Sequence, residues 1–243
     1  MRAVVETDWR VLPHGPVEAL AGGVLRVEGD VPGMKIRRQM IVVVERDGLL
    51  VHNPMCLDEA AMASLRSKGE PTWVVVPSAF HRLDVARYRA RFPGITVVTP
   101  RGARRRVSKV ARVDRTYDEF GGTDRCRLEH LRGTKDREGV LLVEGADGVT
   151  LVFNDVVMNL PDFGGLVGAV YRWIGDSGRP AVTRLARLAI VSDRRALADH
   201  LRALADTPGL ARVVPGHGAP IVDDPAGTLR TLADRLAAPA GSG

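Results

Sequence analysis

The 243-residue sequence has few of the residues that crosslink small secreted proteins or build aromatic cores. Its two cysteines, Cys56 and Cys126, are far apart and form no CxxC pair, so neither a disulfide framework nor a zinc ribbon is expected. Aromatic residues make up only 5% of the chain, so a core must consist mostly of valine, leucine and alanine. Hydrophobic residues at 45% and charged residues at 26% are the proportions of a globular protein with such a core.

Long apolar runs are also missing. The N-terminal stretch carries Glu6, Asp8 and Trp9, where a signal peptide needs an apolar run. No stretch of the sequence approaches the roughly 18 unbroken apolar residues of a membrane helix. The longest apolar segment, 163–174, is interrupted by glycines and by Arg172. We therefore expect a cytoplasmic protein that does not contact a membrane.

Positive charge exceeds negative charge, with 35 lysines and arginines against 29 acidic residues. The arginines are spread along the chain, and the densest run lies at 101–106. This run lacks the interleaved aromatic residues that stack nucleic-acid bases. It is followed closely by Asp114, Asp118 and Glu119. The pattern favours a solvated surface, and we do not expect nucleic acid as a partner.

The first half of the sequence predicts short strands followed by alternating strands and helices. Two apolar runs, 39–45 and 49–52, flank the turn residues 46–48 and predict a hairpin. The elements predicted after it are a helix at 57–68, a strand at 73–76, a helix at 81–91 with Arg82, Arg87 and Arg89 facing water, and a strand at 95–98. This order favours neighbouring parallel strands in one sheet.

The second half repeats the pattern with variations. A second hairpin is predicted at 139–144 and 149–153, and a last strand at 211–214. Helices are predicted around 165–173, 181–190, 194–205 and 225–236. Two similar halves favour an α/β protein with two sheets packed face to face and helices outside, a four-layer αββα sandwich. We predict one domain over 1–236 and a flexible tail at 237–243.

Polar residues follow four of the predicted strands, where sites form in α/β folds. His52 and Asn53 follow the strand at 49–52, and the loop 77–81, which ends in His81, follows the next strand. Asp155 follows the strand at 149–153, and His217 follows the last strand. We expect these four strand ends to converge on a single site.

Three of these segments resemble the metallo-β-lactamase-fold superfamily. The run Val213-Val214-Pro215-Gly216-His217-Gly218 is similar to the late strand and Gly-His-Gly loop, whose histidine is a metal ligand in the family. The run Leu151-Val152-Phe153-Asn154-Asp155 resembles the strand that ends in the metal-bridging aspartate. The run Leu49-Leu50-Val51-His52-Asn53-Pro54 takes the place of the early strand that ends in an Asp-Thr-Gly-like turn. The resemblance implies the metallo-β-lactamase fold over nearly the whole chain.

Two parts of the family pattern are missing. The family carries His-x-His-x-Asp-His on the loop after the next strand, whereas the loop at 77–84 offers only His81 and Asp84, at a different spacing. The family's middle ligand is a histidine in a Gly-His-Thr loop, and the matching residues 133–136 contain no histidine. The chain resembles more closely a degenerate subgroup of the superfamily, a domain of unknown function, in residues 52–54, 77–81 and 92–94 and in Asp155. That resemblance implies no established activity.

The candidate metal ligands are His217, Asp155 and His81, with His52 as a fourth ligand or as a partner that orients the others. Three such donors are enough for one zinc or iron ion but not for two. The structural alternative is that His217 fixes its loop and Asp155 caps the element that follows, as remnants of a lost site. A third alternative is a pocket without metal. His14, His130 and His200 receive no role, and His200 is expected on a polar helix face.

The preferred hypothesis is a metallo-β-lactamase-fold protein with a degenerate metal site, which lacks the standard dinuclear hydrolase activity and takes a small-molecule ligand. The alternative is an enzyme, a single-metal hydrolase of an ester, thioester or phosphoester, in which His217, Asp155 and His81 hold the metal. A third hypothesis is a partner-binding module that uses the apolar segment 163–174, with a second copy of the chain as one such partner.

Overall fold

A computed structural model describes residues 6–173 and 177–238. The chain divides into two compact units, Met1–Leu128 and Glu129–Gly243. The predicted flexible tail lies outside the described residues from 239 onward, as does Ile174 at the end of the apolar segment. The single domain over 1–236 stays a prediction.

The first unit contains a seven-stranded sheet whose strands lie side by side in chain order. The first four strands are paired antiparallel, and β4 to β7 are paired parallel. The strands are β1 (Glu18–Ala21), β2 (Val24–Asp30), β3 (Arg37–Glu45), β4 (Gly48–His52), β5 (Pro71–Val75), β6 (Thr96–Thr99) and β7 (Arg115–Thr116). The helices are α1 (Glu59–Arg66), α2 (Val85–Arg91), α3 (Arg104–Val107) and α4 (Tyr117–Phe120). The predicted hairpin and the predicted parallel strands are confirmed.

Local sequence explains why these elements form. Helix α1 begins after Asp58, whose side chain accepts a hydrogen bond from the backbone N–H of Ala61. Met62 and Leu65, three residues apart, face the core. Strands β3, β4 and β6 each contain runs of consecutive buried residues, so both of their faces are covered, as expected for strands at the centre of a sheet.

Helix α2 differs from the prediction in two ways. It begins at Val85, four residues later than expected, because Asp84 precedes it with non-helical backbone angles. His81 therefore lies in the loop between β5 and α2. Arg87 was expected to face water, but it is only 4% exposed. Its guanidinium is paired with Asp84 and Glu6, and these ion pairs compensate its burial.

The second sheet has four strands in the order β11, β10, β9, β8. Its strands are β8 (Cys126–His130), β9 (Gly139–Gly145), β10 (Gly148–Val152) and β11 (Leu210–Val214). Strands β9 and β10 form the predicted antiparallel hairpin, and β11 lies parallel to β10. The helices of the second unit are α5 (Gly165–Trp173), α6 (Arg184–Ala189), α7 (Arg194–Ala205) and α8 (Pro225–Ala237). The core of this unit joins Leu151 and Val213 of the sheet to Leu201 of α7 and Leu229 of α8.

Neither cysteine forms a disulfide. Cys56 and Cys126 are both free and buried, and burial raises the pKa of both thiols, that of Cys56 to about 12. None of the helices within 6–173 and 177–238 combines the length and apolarity needed to cross a bilayer.

Candidate metal site

Asp155 and His217 are brought together by two parallel strands of the second unit. Val152, at the end of β10, lies opposite Val214, at the end of β11. Asp155 and His217 follow these two positions by three residues each, so both side chains lie at the carboxyl edge of the same strand pair. Oδ1 of Asp155 lies 3.3 Å from Nε2 of His217. Asp155 is 9% exposed and His217 is 4% exposed.

The loop that carries His217 is fixed by backbone contacts within the second unit. Asn159 donates its N–H to the carbonyl of His217 at 3.0 Å, and Gly216 donates its N–H to the carbonyl of Asn154 at 3.3 Å. Gly218 has a φ of 92°, and a Cβ at that position would lie 1.8 Å from the carbonyl oxygen of Asn159. Only glycine fits there, so the Gly-His-Gly pattern reflects close backbone packing around His217.

Glu138 lies behind Asp155, and sequence reasoning missed it. Its side chain is 0% exposed, and Oε1 accepts a hydrogen bond of 2.8 Å from the backbone N–H of Val156. Burial raises the pKa of Glu138 well above its usual value, and the nearby Asp155 carboxyl raises it further. The one sequence signal was an acidic residue directly before β9, a strand whose first five residues are all buried.

His52, at the end of β4, is buried in the first unit. Burial and, to a smaller extent, the neighbouring His81 together lower the pKa of His52 to about 3, so its ring is neutral at pH 7. Nε2 of His52 is buried and has no hydrogen-bond partner in the part of the chain that the structure describes. The structure gives it the surroundings of a core residue, and its role as a ligand stays a prediction.

His81 is half-buried in the same unit and is oriented by Asn53. Nδ1 of His81 lies 3.0 Å from Oδ1 of Asn53. The amide nitrogen of Asn53 donates to the carbonyl of Gln39 at 2.7 Å, and this bond fixes which way the amide points. Asn53 has a φ of 56°, a left-handed conformation that asparagine tolerates better than most residues. The turn after β4 therefore orients the His81 ring by holding its Nδ1 atom.

Asp84 was the other residue of the 77–84 loop considered as a ligand. Its carboxylate is buried and accepts hydrogen bonds from Arg38 at 2.5 Å and from Arg87 at 2.8 Å. Both arginines are buried as well. Asp84 is thus the shared counter-ion of two buried guanidinium groups, and this pairing makes it a structural residue.

Residues 133–136, where the resemblance leads us to expect the middle-ligand loop, form a tight turn with structural contacts. Thr134 is buried and donates its hydroxyl to the carbonyl of Leu131 at 2.7 Å. A Cβ on Gly133 would lie 2.2 Å from the carbonyl oxygen of Asp193, so this turn packs directly on the start of α7. Lys135 and Asp136 both have positive φ. The turn presents no imidazole.

The histidines without an assigned role have structural contacts. His200 was expected on a polar helix face, but it is buried, and its Nδ1 accepts the backbone N–H of Arg132 at 3.0 Å. His14 accepts the backbone N–H of Asp58 at 3.1 Å. His130 lies 4.0 Å from the carboxylate of Asp136.

The two surfaces considered for partners are exposed. In the basic run, Arg101 pairs with Asp118 and Arg104 pairs with Glu119, each at 3.6 Å, as the nearby acidic residues suggested. On α5, Leu166 is 88% exposed, so the described part of the apolar segment presents hydrophobic side chains to solvent. Neither surface identifies its partner.

The Asp155–His217 pair fits a single metal ion. Two donors bound tetrahedrally at about 2.0–2.2 Å lie about 3.3–3.6 Å apart, because of the tetrahedral angle. The observed separation of 3.3 Å falls in this range. Carboxylate oxygen and imidazole nitrogen are common ligands of zinc and of iron. The pair therefore needs little rearrangement to supply two ligands.

No protein-family model matches the sequence, and no curated protein matches it significantly. Solved structures do match over most of the chain. A metallo-β-lactamase from Erythrobacter litoralis has a TM-score of 0.63 at 16% identity, with 90% of this chain and 96% of that chain covered. The metallo-β-lactamase FIM-1 from Pseudomonas aeruginosa, in its mono-zinc form, has a TM-score of 0.61 at 14% identity, with 93% and 98% covered.

A metallo-β-lactamase from Pontibacter korlensis gives the same TM-score of 0.61 at 13% identity, covering 90% of this chain and 98% of its own. Identities this low show the fold, and the more closely matching subgroup stays a prediction. The two sheets, their helices and these three structures agree with the architecture implied by the sequence motifs. The chain has the metallo-β-lactamase fold.

Proposed function

We propose that this chain is a metallo-β-lactamase-fold protein that binds a single metal ion through Asp155 and His217 and lacks dinuclear hydrolase activity. The observation that carries the proposal is the 3.3 Å separation of Asp155 Oδ1 and His217 Nε2, at the ends of neighbouring parallel strands. Both side chains are held in nearly buried positions, which reduces the entropy lost when they bind an ion.

Two loops where the family carries further metal ligands lack suitable residues in this chain, which supports the proposal of a single metal ion. At 77–84, Asp84 is already paired with two buried arginines. At 133–136, a glycine-dependent turn stands where the family has a histidine. A dinuclear site needs several more donors than Asp155 and His217 provide.

A bound zinc or iron ion supplies Lewis-acid chemistry at this position. In the proposal, Asp155 provides an anionic oxygen and His217 a neutral nitrogen. His81 is the third ligand and His52 a fourth ligand or an orienting residue, as the sequence predicts. If His52 orients the other residues and does not bind the metal, one of the four tetrahedral positions would be left for a small molecule, which is the proposed partner of the site.

The test is the metal content of the purified protein after incubation with zinc or iron(II) and removal of free ion. Elemental analysis should give about one ion per chain for the wild type. Asp155→Ala and His217→Ala should each weaken binding by about tenfold or more, since each removes a direct ligand. Asp223→Ala and His130→Ala are matched controls from the same unit and should bind as the wild type does. His81→Ala tests the third ligand.

Two results would contradict the proposal. Two tightly bound ions per chain would mean that the site is not degenerate. Absence of binding in the folded wild type would favour the structural alternative, in which Asp155 and His217 only stabilise their loops.

The second candidate function is a single-metal hydrolase of an ester, thioester or phosphoester. It is favoured by the similarity to a metallo-β-lactamase whose solved structure is a mono-zinc form, since this fold accommodates a single ion there. A panel of the three substrate classes should show turnover by the metal-loaded wild type that His217→Ala abolishes. Turnover that survives His217→Ala would exclude the proposed site as its source.

A further inference from the structure

Glu138 is a buried carboxyl group near Asp155 that no sequence motif identifies. It stands immediately before β9, and no part of its side chain is exposed. Its Oε1 accepts the backbone N–H of Val156, the residue directly after Asp155. The hydrogen bond therefore joins the start of β9 to the peptide that follows a proposed metal ligand.

The surroundings of Glu138 are unlike those of an ion-paired residue. Its Oε2 is buried and has no hydrogen-bond partner among the described residues. The charged group that acts on it most is Asp155, which has the same sign, while the backbone N–H groups of residues 154 to 156 favour its ionised form. Burial and Asp155 outweigh them and raise its pKa. The contact that links Glu138 to the proposed ligands is therefore the hydrogen bond from the N–H of Val156, and it involves no cation.

We infer that Glu138 is a positioning residue, which fixes the 154–156 turn so that Asp155 faces His217. The turn is flanked by the buried residues Phe153 and Val157, so a shift of its backbone is transmitted directly to Asp155. Without Glu138, the N–H of Val156 is buried without an acceptor, and the turn must move to satisfy it. The inference deepens the proposed function, and it rests on that function only where metal is concerned.

The test compares Glu138→Gln with Glu138→Leu in the full chain. Glutamine keeps an oxygen acceptor at the same distance and is neutral, whereas leucine has a similar volume and no acceptor. The readout that requires no metal is the ¹⁵N spectrum of the His217 ring, assigned by its loss in His217→Gln. In the wild type, Nε2 of His217 should carry the proton that Asp155 accepts. Asp155→Ala should remove this signature. E138L should lose it in the same way, whereas E138Q should keep the wild-type spectrum.

The second readout is zinc affinity. Loss of a residue that orients a ligand typically weakens metal binding about 10–100-fold, so E138L should fall in this range and E138Q within about threefold of the wild type. If no variant binds zinc but the ring signatures behave as expected, the metal proposal fails and the positioning role stands. A wild-type signature in E138L, or its loss in folded E138Q, would overturn the positioning role. Should E138L fail to fold, Glu138→Ala takes its place, since alanine also lacks an acceptor for the N–H of Val156.

Discussion

Nδ1 of His81 lies 3.0 Å from Oδ1 of Asn53, and the Asn53 amide is fixed by its bond to the carbonyl of Gln39. An amide oxygen can only accept a hydrogen bond. Nδ1 of His81 must therefore carry a proton, and in the neutral ring the lone pair is on Nε2. This is the arrangement that a metal-ligating histidine needs, since its second nitrogen is normally held by a hydrogen bond.

Asn53→Gly tests this relationship. Glycine permits the φ of 56° at residue 53, so the substitution removes the side-chain acceptor without straining the turn. We expect protonation at Nδ1 in the wild type and loss of that preference in N53G, measured by long-range ¹H–¹⁵N spectra. The His130 ring, which belongs to the second unit, serves as the internal control. A neutral wild-type ring protonated at Nε2 would contradict the assignment.

The burial of His52 predicts that the folded chain loses stability as the pH falls below about 6.5. Its pKa is about 3 in the folded chain and about 6.5 in the unfolded chain, so between these values only the unfolded chain binds the proton. The stability it contributes is present above about pH 6.5 and falls by about 1.4 kcal/mol per pH unit as the pH drops toward 3. In urea unfolding from pH 7 to 4, His52→Leu should lose this slope. Parallel curves for the two proteins would show that His52 does not titrate as proposed.

The close packing at Gly218 predicts that adding one methyl group beside His217 lowers the free energy of unfolding substantially. In Gly218→Ala the new Cβ must displace the carbonyl of Asn159, in addition to the cost of positive φ, and we expect a loss of about 3 kcal/mol or more. Gly209→Ala is the matched control, because φ there is 68° and the nearest atom is 4.0 Å away. It should cost about 1 kcal/mol. Equal losses by urea unfolding would mean that the contact with Asn159 is unimportant.

Substitution of Asp84 tests how much the buried ion pairs of the first unit contribute to the free energy of unfolding. Asp84→Asn removes the negative charge that Arg38 and Arg87 share. Arg87 keeps its pair with Glu6, but Arg38 is left as a buried guanidinium without this counter-ion, so we expect a loss of about 3–5 kcal/mol. Glu59→Gln breaks an exposed ion pair with Arg91 and should have a much smaller effect. Wild-type stability of D84N would instead indicate that water reaches these arginines.

The hairpins and parallel strands could be predicted because their signals are local. The turn residues 46–48 separate two apolar runs, and the pairing of these runs as β3 and β4 follows from chain adjacency. The start of α2 was missed because arginine spacing suggested a solvent-facing helix from residue 81. Asp84 instead binds Arg38, 46 residues earlier in the chain, and no local pattern reports such a contact.

The candidate site was predictable only in part, for a similar reason. Asp155 and His217 each follow an apolar strand, so their positions at strand ends could be seen in the sequence. Glu138 reads as an ordinary surface residue after the charged run 135–137, and its burial depends on the turn 154–156, which is distant in sequence. The partners of His81 and Asp84 likewise come from the turn after β4 and from β3.

The most direct test of single-metal binding is anomalous diffraction from crystals soaked in zinc, recorded at the zinc absorption edge. We expect one anomalous peak per chain, about 2.0–2.2 Å from both Asp155 Oδ1 and His217 Nε2. Crystals of Asp155→Ala grown and soaked identically should lose the peak. Two peaks about 3.5–4 Å apart in the wild type, or none beside this pair, would contradict the single-metal proposal.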